Sequence, residues 1–286
     1  QFQTIYYWEY AHRLLGRFLA LAYLFPFLVF WMQERLRGGL AWRLLAPLFL
    51  VGLQGLLGWY MVKSGLSERT SVSHYRLAAH LSLALFLLSY LHWQILKLST
   101  ESEKQAASTP PTLVTVFFSV VAVQIVFGAF VAGTKAGYGY PTFPTMAGYW
   151  LHPDALRLHP LWVNFFENPA MIQWIHRMLA WVLLLAGIGA WRAAIFERSP
   201  RLRRTLVVWG ALVGLQFLLG VITLLLHVPL ALALLHQVNA CLLLVASVTL
   251  LYLVRRDIPR TDGSARRTPI GEVLTTPHEG LPLRGD

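Results

Sequence analysis

Apolar residues run along this chain in long unbroken blocks, not in alternation with polar ones. Seven such blocks predict spanning helices near 7–32, 44–63, 74–97, 112–134, 171–195, 204–227 and 230–254. Each approaches the roughly 20 residues needed to cross a hydrocarbon core. A membrane β-barrel would need short strands of alternating polarity, which these continuous runs exclude. The pattern predicts an all-α, multi-pass membrane protein.

The polar links sort by charge. Gln33 to Arg43 carries Arg35, Arg37 and Arg43 against Glu34. Arg192 to Arg204 carries Arg192, Arg198, Arg201, Arg203 and Arg204 against Glu197, and the C-terminal tail opens on Arg255-Arg256. With the nearly neutral link Ser99 to Pro111, these alternate segments belong on the positive side, cytoplasm or mitochondrial matrix. The loop 135–170 and the tight turn at Val228-Pro229 then fall on the outer side. That loop holds Tyr138, Tyr140, Phe143, Tyr149, Trp150, Trp162, Phe165 and Phe166 among several prolines. Such a composition suits a packed lid or a segment lying in the interface. The tail 257–286 is rich in Pro, Gly, Thr and Arg and is expected to be disordered.

Composition agrees with the pattern: 56% of the 286 residues are hydrophobic and 13% charged. A formal net charge of +11 would suggest nucleic acid for a soluble protein. Here it follows from membrane topology, and no nucleic-acid partner is implied. The single cysteine, Cys241, excludes an internal disulfide, a thiolate-held iron–sulfur cluster and a cysteine zinc site.

An internal repeat organises the helices. Glu9-Tyr10-Ala11-His12-Arg13 returns as Gln173-Trp174-Ile175-His176-Arg177, each at the head of an apolar run. Gln54-Gly55-Leu56-Leu57-Gly58 returns as Gln216-Phe217-Leu218-Leu219-Gly220, and His80 as His236, at similar offsets. The expectation is two parallel four-helix units, pseudo-symmetric about the membrane normal. Residues 1–104 would form an incomplete first unit, lacking the first helix of an eight-helix pattern. Residues 112–256 would form the second, with its outer loop.

His12, His80, His176 and His236 occupy repeat-related places near the outer ends of their helices. Two helices of each unit can therefore present imidazoles at one depth, as axial ligation of a haem iron in a bundle requires. Ionisable groups inside a membrane are costly, and all four sit at equivalent positions. That favours ligation over the plain reading of an interfacial histidine, which suits His74, His92, His152, His159, His227 and His278. Arg13 and Arg177 follow ligand candidates, and Arg76 lies one turn before His80. Snorkelling to the interface and pairing with haem propionates both stand as readings. Glu9 shares a face with His12, where the second copy has Gln173. One site keeps a carboxylate for proton or cation chemistry while the other has only an amide; capping of the helix N-terminus is also open to Glu9. The Gln-x-x-x-Gly pattern at Gln54/Gly58, Gln124/Gly128 and Gln216/Gly220 reads as close helix packing.

Taken together these residues resemble the haem A synthase family of the proteobacterial and mitochondrial type. The likeness rests on Glu9 to Arg13, Tyr75-Arg76-Leu77-Ala78-Ala79-His80-Leu81, Pro141-Thr142-Phe143-Pro144, Asn164 to Asn168 leading to Gln173 to Arg177, and Leu235-His236-Gln237. It covers the chain to about Arg256. It implies an enzyme that oxidises a methyl group of haem O to a formyl group, giving haem A for cytochrome c oxidase. Two successive hydroxylations would give a hydrated aldehyde that loses water. The resemblance makes His12 and His80 the axial candidates for the substrate haem, His176 and His236 those for a haem b cofactor, and Glu9 the carboxylate beside the substrate. Arg13 and Arg76 stand as propionate contacts. It further implies an inner-membrane location with the haem sites outward, delivery of haem O by a haem O synthase, an electron donor and acceptor, and an open question of homo-oligomers. Cysteine pairs that some family members carry in their outer loops are absent from loop 135–170.

The rival reading is a non-catalytic electron-transfer cytochrome with two bis-histidine haems b. A third is a histidine-lined transporter without haem. Glu9 separates the first two, because an electron carrier would tolerate its replacement by Gln.

Overall fold

The computed structural model describes residues 2–65, 73–99 and 107–256. Seven long helices match the seven apolar blocks: α1 Phe2–Met32, α2 Gly39–Gly65, α3 His74–Ser99, α4 Pro111–Gly133, α7 Pro169–Phe196, α8 Pro200–Leu225 and α9 Leu230–Arg256. Two short helices, α5 Ala136–Gly139 and α6 Asn164–Glu167, lie in the outer loop with the 3₁₀ turns Pro153–Leu156 and Leu161–Val163. Among the described residues there is no strand, only an isolated bridge between Met146 and Tyr149. All seven long helices are apolar and long enough to cross a membrane, so the expected all-α membrane architecture is what the chain adopts. The tail 257–286 lies outside the described residues.

Helix starts differ from the hydropathy expectation where caps decide them. α7 begins at Pro169, since the Asn168 side chain accepts a hydrogen bond from the Ala170 N–H at 3.0 Å and Pro169 suits the first helical position. α8 begins at Pro200 for the same reason, with Ser199 Oγ accepting from Leu202 N–H at 3.4 Å. Arg201, Arg203 and Arg204 therefore stand on the first turns of α8, not in a link.

Helices α4, α7, α8 and α9 form a closed ring. α4 packs on α7 and α9, and α8 packs on the same two. α7 and α9 thus face each other across a diagonal. The other helices are more open: α1 packs on α2, α2 on α3, and α3 on α4 and α9. The α3–α9 seam is tied by His92 Nε2 and Thr249 Oγ1 at 2.8 Å and by an edge-to-face pair of Trp93 and Tyr252. Much of the apolar surface of α1, including Phe18, Leu21 and Phe25, is exposed, as suits a helix whose solvent is lipid.

The core fills one half of the ring. Val114, Phe117 and Val121 from α4, Leu183 and Ala190 from α7, Leu206, Trp209 and Val213 from α8, and Leu243, Leu250 and Val254 from α9 make one cluster. Phe117 stacks on Trp209 with centroids 4.9 Å apart, and the Trp209 indole N–H donates to Ser247 Oγ at 2.8 Å. These positions lie toward the ends of α7 and α9 and the starts of α4 and α8. Helix direction alternates, so all of them sit at the arginine-rich end, opposite the outer loop.

That end is closed by buried Glu197, between α7 and α8. Its carboxylate accepts from Thr109 Oγ1 at 2.6 Å and from the backbone N–H groups of Thr109, Ser108 and Ser199. The contact joins two links that charge alone had assigned to one side. Burial works to raise the Glu197 pKa, but the donated hydrogen bonds outweigh it and hold the group below its ordinary value. A lowered carboxylate pKa adds stability above the unfolded value, and that share is lost as pH falls through the folded value. Glu197→Gln should cost about 1.5–3 kcal/mol at neutral pH, with the gap from the parent narrowing below about pH 4. Thermal melts of purified protein in detergent from pH 7 to 3 check this; a gap independent of pH would refute it.

Candidate functional site

The four repeat-related histidines gather at the end of the molecule opposite the packed core. His12 lies early on α1, His80 early on α3, His176 early on α7 and His236 early on α9. His12 and His80 are brought together across α2, with ring centroids 6.4 Å apart and planes inclined at 67°. Two imidazoles sharing one metal, each nitrogen about 2 Å from it and each centroid about 1 Å beyond, have centroids about 6 Å apart. The centroid spacing of the pair is close to that value. His176 and His236 sit on the diagonal helices α7 and α9, close enough to interact electrostatically.

The chemistry of the donor set is as informative as its spacing. His80, His176 and His236 each have a shielded Nδ1 without a hydrogen-bond partner. A neutral imidazole carries one donor and one acceptor nitrogen, and leaving one unmatched inside a protein is costly. Among the described residues no group of three or more His, Cys, Asp or Glu side chains could hold a bare metal ion. Two axial imidazoles suit a metal that brings its own four equatorial ligands.

Residues beside the ligand candidates do different work in the two halves. Glu9 forms an ion pair with Arg13 one turn on, and both are substantially exposed. Gln173 and Arg177, their counterparts, are buried and hold the outer loop. Arg177 donates to the carbonyls of Tyr140 at 2.8 Å and Thr145 at 3.2 Å, and Gln173 Nε2 donates to the Tyr140 carbonyl at 3.2 Å. Arg76 stacks over the Tyr60 ring, its guanidinium carbon 4.9 Å from the centroid.

The loop itself is packed as a lid. Phe143 stacks on Trp181 of α7 and meets Phe217 of α8 edge-on. Asn164 bonds the backbone of Leu158 and Leu161, and Asn168 donates to Asn164 Oδ1 and to the Asp154 carbonyl. The lid reaches the first half through His74 Nε2, 2.8 Å from the Phe166 carbonyl, and through the Tyr75 hydroxyl, which donates to Glu167 at 2.6 Å. His74 is thus a loop anchor, and His152 caps the turn Pro153–Leu156.

The Gln-x-x-x-Gly pattern proves more specific than helix packing. A Cβ at Gly58 would lie 3.1 Å from His80 Cε1, one at Gly128 3.2 Å from His176 Cε1, and one at Gly220 2.9 Å from His236 Cε1. Among the described residues no glycine faces His12 in this way. The threefold recurrence of the pattern one helix before a histidine was the signal available in the sequence.

Seven spanning helices with histidines gathered at one end define an all-α, multi-pass membrane protein. Comparison with known proteins narrows the class. The family model described as COX15-CtaA, cytochrome oxidase assembly protein, matches residues 1–248. The heme A synthases of Brucella ovis (strain ATCC 25840 / 63/290 / NCTC 10512) and Brucella abortus (strain 2308) are each 43% identical to the chain over 252 residues, covering 87% of it and 70% of their own length. That of Brucella anthropi is 42% identical over 251 residues, covering 86% and 70%. The chain belongs to the COX15-CtaA family, the family of the haem A synthases.

Replacing Arg177 with Lys should free the lid, since an ammonium cannot span two carbonyls as the guanidinium fork does. The expected cost is about 2 kcal/mol. Hydrogen exchange across Tyr140 to Ala147 should speed up while that of α8 stays unchanged; unaltered protection of the loop would contradict the role.

Proposed function

We propose that this chain is a haem A synthase that oxidises a methyl group of haem O to a formyl group, and that its two halves hold two haems. The observation that carries the reading is the His12–His80 pair, at a spacing that suits one metal between them. Family membership gives the enzyme class, an oxidoreductase of haem A formation. The conversion exchanges two C–H bonds for one C=O, so it needs an oxygen source and an electron acceptor.

In this reading residues 1–104 form the substrate unit, where His12 and His80 would hold the haem O iron and so set the depth of the ring relative to Glu9. Residues 112–256 form the cofactor unit, where His176 and His236 hold haem b. Bound there, haem b supplies a one-electron redox couple. Glu9 stands one turn before His12 on the same face, where its carboxylate can stabilise positive charge or take up a proton. Arg13 orients that carboxylate through their ion pair. Arg13 and Arg76 reach a propionate only by sharing Glu9 and Tyr60 with it. Arginines at the opposite end favour an outward position for the haem sites in a bacterial or mitochondrial inner membrane. Haem O would arrive there from the enzyme that makes it, and lipid would cover the exposed faces of α1 and α2.

The rival electron-carrier reading gives Glu9 no task. Expression of Glu9→Gln with a haem O source, followed by pigment extraction, decides between them. The synthase reading expects haem A to vanish, falling at least 100-fold, a typical loss for a general acid–base group, while b-type haem stays bound. Wild-type haem A output from this variant would refute it, and purified parent protein without any haem absorption would refute both.

A further inference from the structure

The glycine and glutamine of each Gln-x-x-x-Gly pattern both meet a histidine, the glycine at the ring edge and the glutamine at the backbone carbonyl in two cases and at the ring in the third. Glycine removes a side chain where the imidazole edge lies, at 2.9 to 3.2 Å from the absent Cβ. Glutamine, one turn earlier on the same face, bonds the histidine residue. Gln54 Nε2 donates to the His80 carbonyl at 3.0 Å, and Gln124 Nε2 to the His176 carbonyl at 3.1 Å. Gln216 Nε2 lies 3.2 Å from His236 Nε2, and its Oε1 accepts from Asn239 Nδ2 at 2.7 Å. In the closed ring the notched helices α4 and α8 alternate with the histidine helices α7 and α9. Each imidazole there is backed by one neighbour.

We infer that Gln54/Gly58, Gln124/Gly128 and Gln216/Gly220 are seats that set the depth and rotation of the ligand imidazoles, so that these six residues position the iron ligands without touching the haem. The physical reason is a division of constraints. A histidine χ2 torsion is broad, so the helix alone does not fix the ring. At Gln54 and Gln124 the bond to the histidine carbonyl fixes the height of the histidine helix against its neighbour, and at Gln216 the contact holds the ring itself. The glycine notch lets the ring lie back against that neighbour, where a side chain would push it away. A methyl group in the notch would meet the ring edge, which is free to swing, before it met any backbone. Its effect would fall on the ligand and not on the fold. Groups that orient metal-bound histidines are typically worth 10–100-fold in metal affinity.

This inference rests on the two-haem reading, and the test separates the two. The full chain is expressed with its haems and purified in detergent as parent, Gly128→Ala, Gly220→Ala and the control Gly214→Ala. Gly214 is on α8 and nothing lies within 4 Å of its added Cβ. Haem content, the electron paramagnetic resonance signal and carbon monoxide binding are read for each. The seat predicts roughly 10–100-fold weaker retention of b-type haem, or a six-coordinate low-spin iron turned high-spin and open to carbon monoxide, in both notch variants. Gly214→Ala should match the parent. If a notch variant does not accumulate, Gln124→Met and Gln216→Met carry the test, with a shift in the low-spin signal or midpoint potential as the expected result. Parent-like spectra in every variant that accumulates would overturn the seat while leaving the two-haem reading intact. A parent without low-spin haem would overturn that reading, and the seat with it.

Discussion

A ring nitrogen enclosed in a helical bundle within lipid cannot turn to water for a hydrogen bond, and its own helix has none to offer. Most of what is distinctive in this structure follows from placing four imidazoles under that constraint. Three of them have a shielded Nδ1 left open by the protein, and each of those three is backed by a glycine and held by a glutamine. The bundle thus secures the outside of each ring and leaves polar capacity unspent.

The long axis of the α4–α7–α8–α9 ring divides the work. Near the arginine-rich end, Phe117, Trp209 and their neighbours fill the interior, and the Glu197 carboxylate stitches the loops together. Toward the other end lie the imidazoles, glycines and amides, beside a smaller apolar cluster of Ala78, Ala129, Phe130 and Ile172, and the outer loop packs above. Phe143, Arg177, Gln173 and Asn168 fasten that loop to α7 and α8, while His74 and Tyr75 fasten it to α3.

The seven spans were legible in the sequence because continuous hydrophobicity is a property of the chain alone. The histidine pairs were legible because a repeat marks equivalent positions before any contact is known. The starts of α7 and α8 were not, since hydropathy ignores the caps at Asn168 and Ser199 that set them. Arg177 was read as an interfacial anchor or a propionate partner, by its place next to a histidine. Its actual partners, the carbonyls of Tyr140 and Thr145, lie over thirty residues away in sequence and leave no local trace. Glycine at 58, 128 and 220 suggested close packing, and what it packs against was visible only in three dimensions.

The contrast between Glu9 and Gln173 has a structural cause as well as a chemical meaning. Gln173 points its amide N–H at the Tyr140 carbonyl, beside the Arg177 guanidinium that binds the same oxygen. A carboxylate there would set acceptor against acceptor and lose that bond, so a glutamate at 173 would loosen the lid. In the first half no described loop takes up the equivalent groups, and Glu9 and Arg13 pair with each other instead. Both remain substantially exposed. The duplicated device therefore keeps its acid where the pair is exposed, and replaces it with an amide where the groups hold the loop.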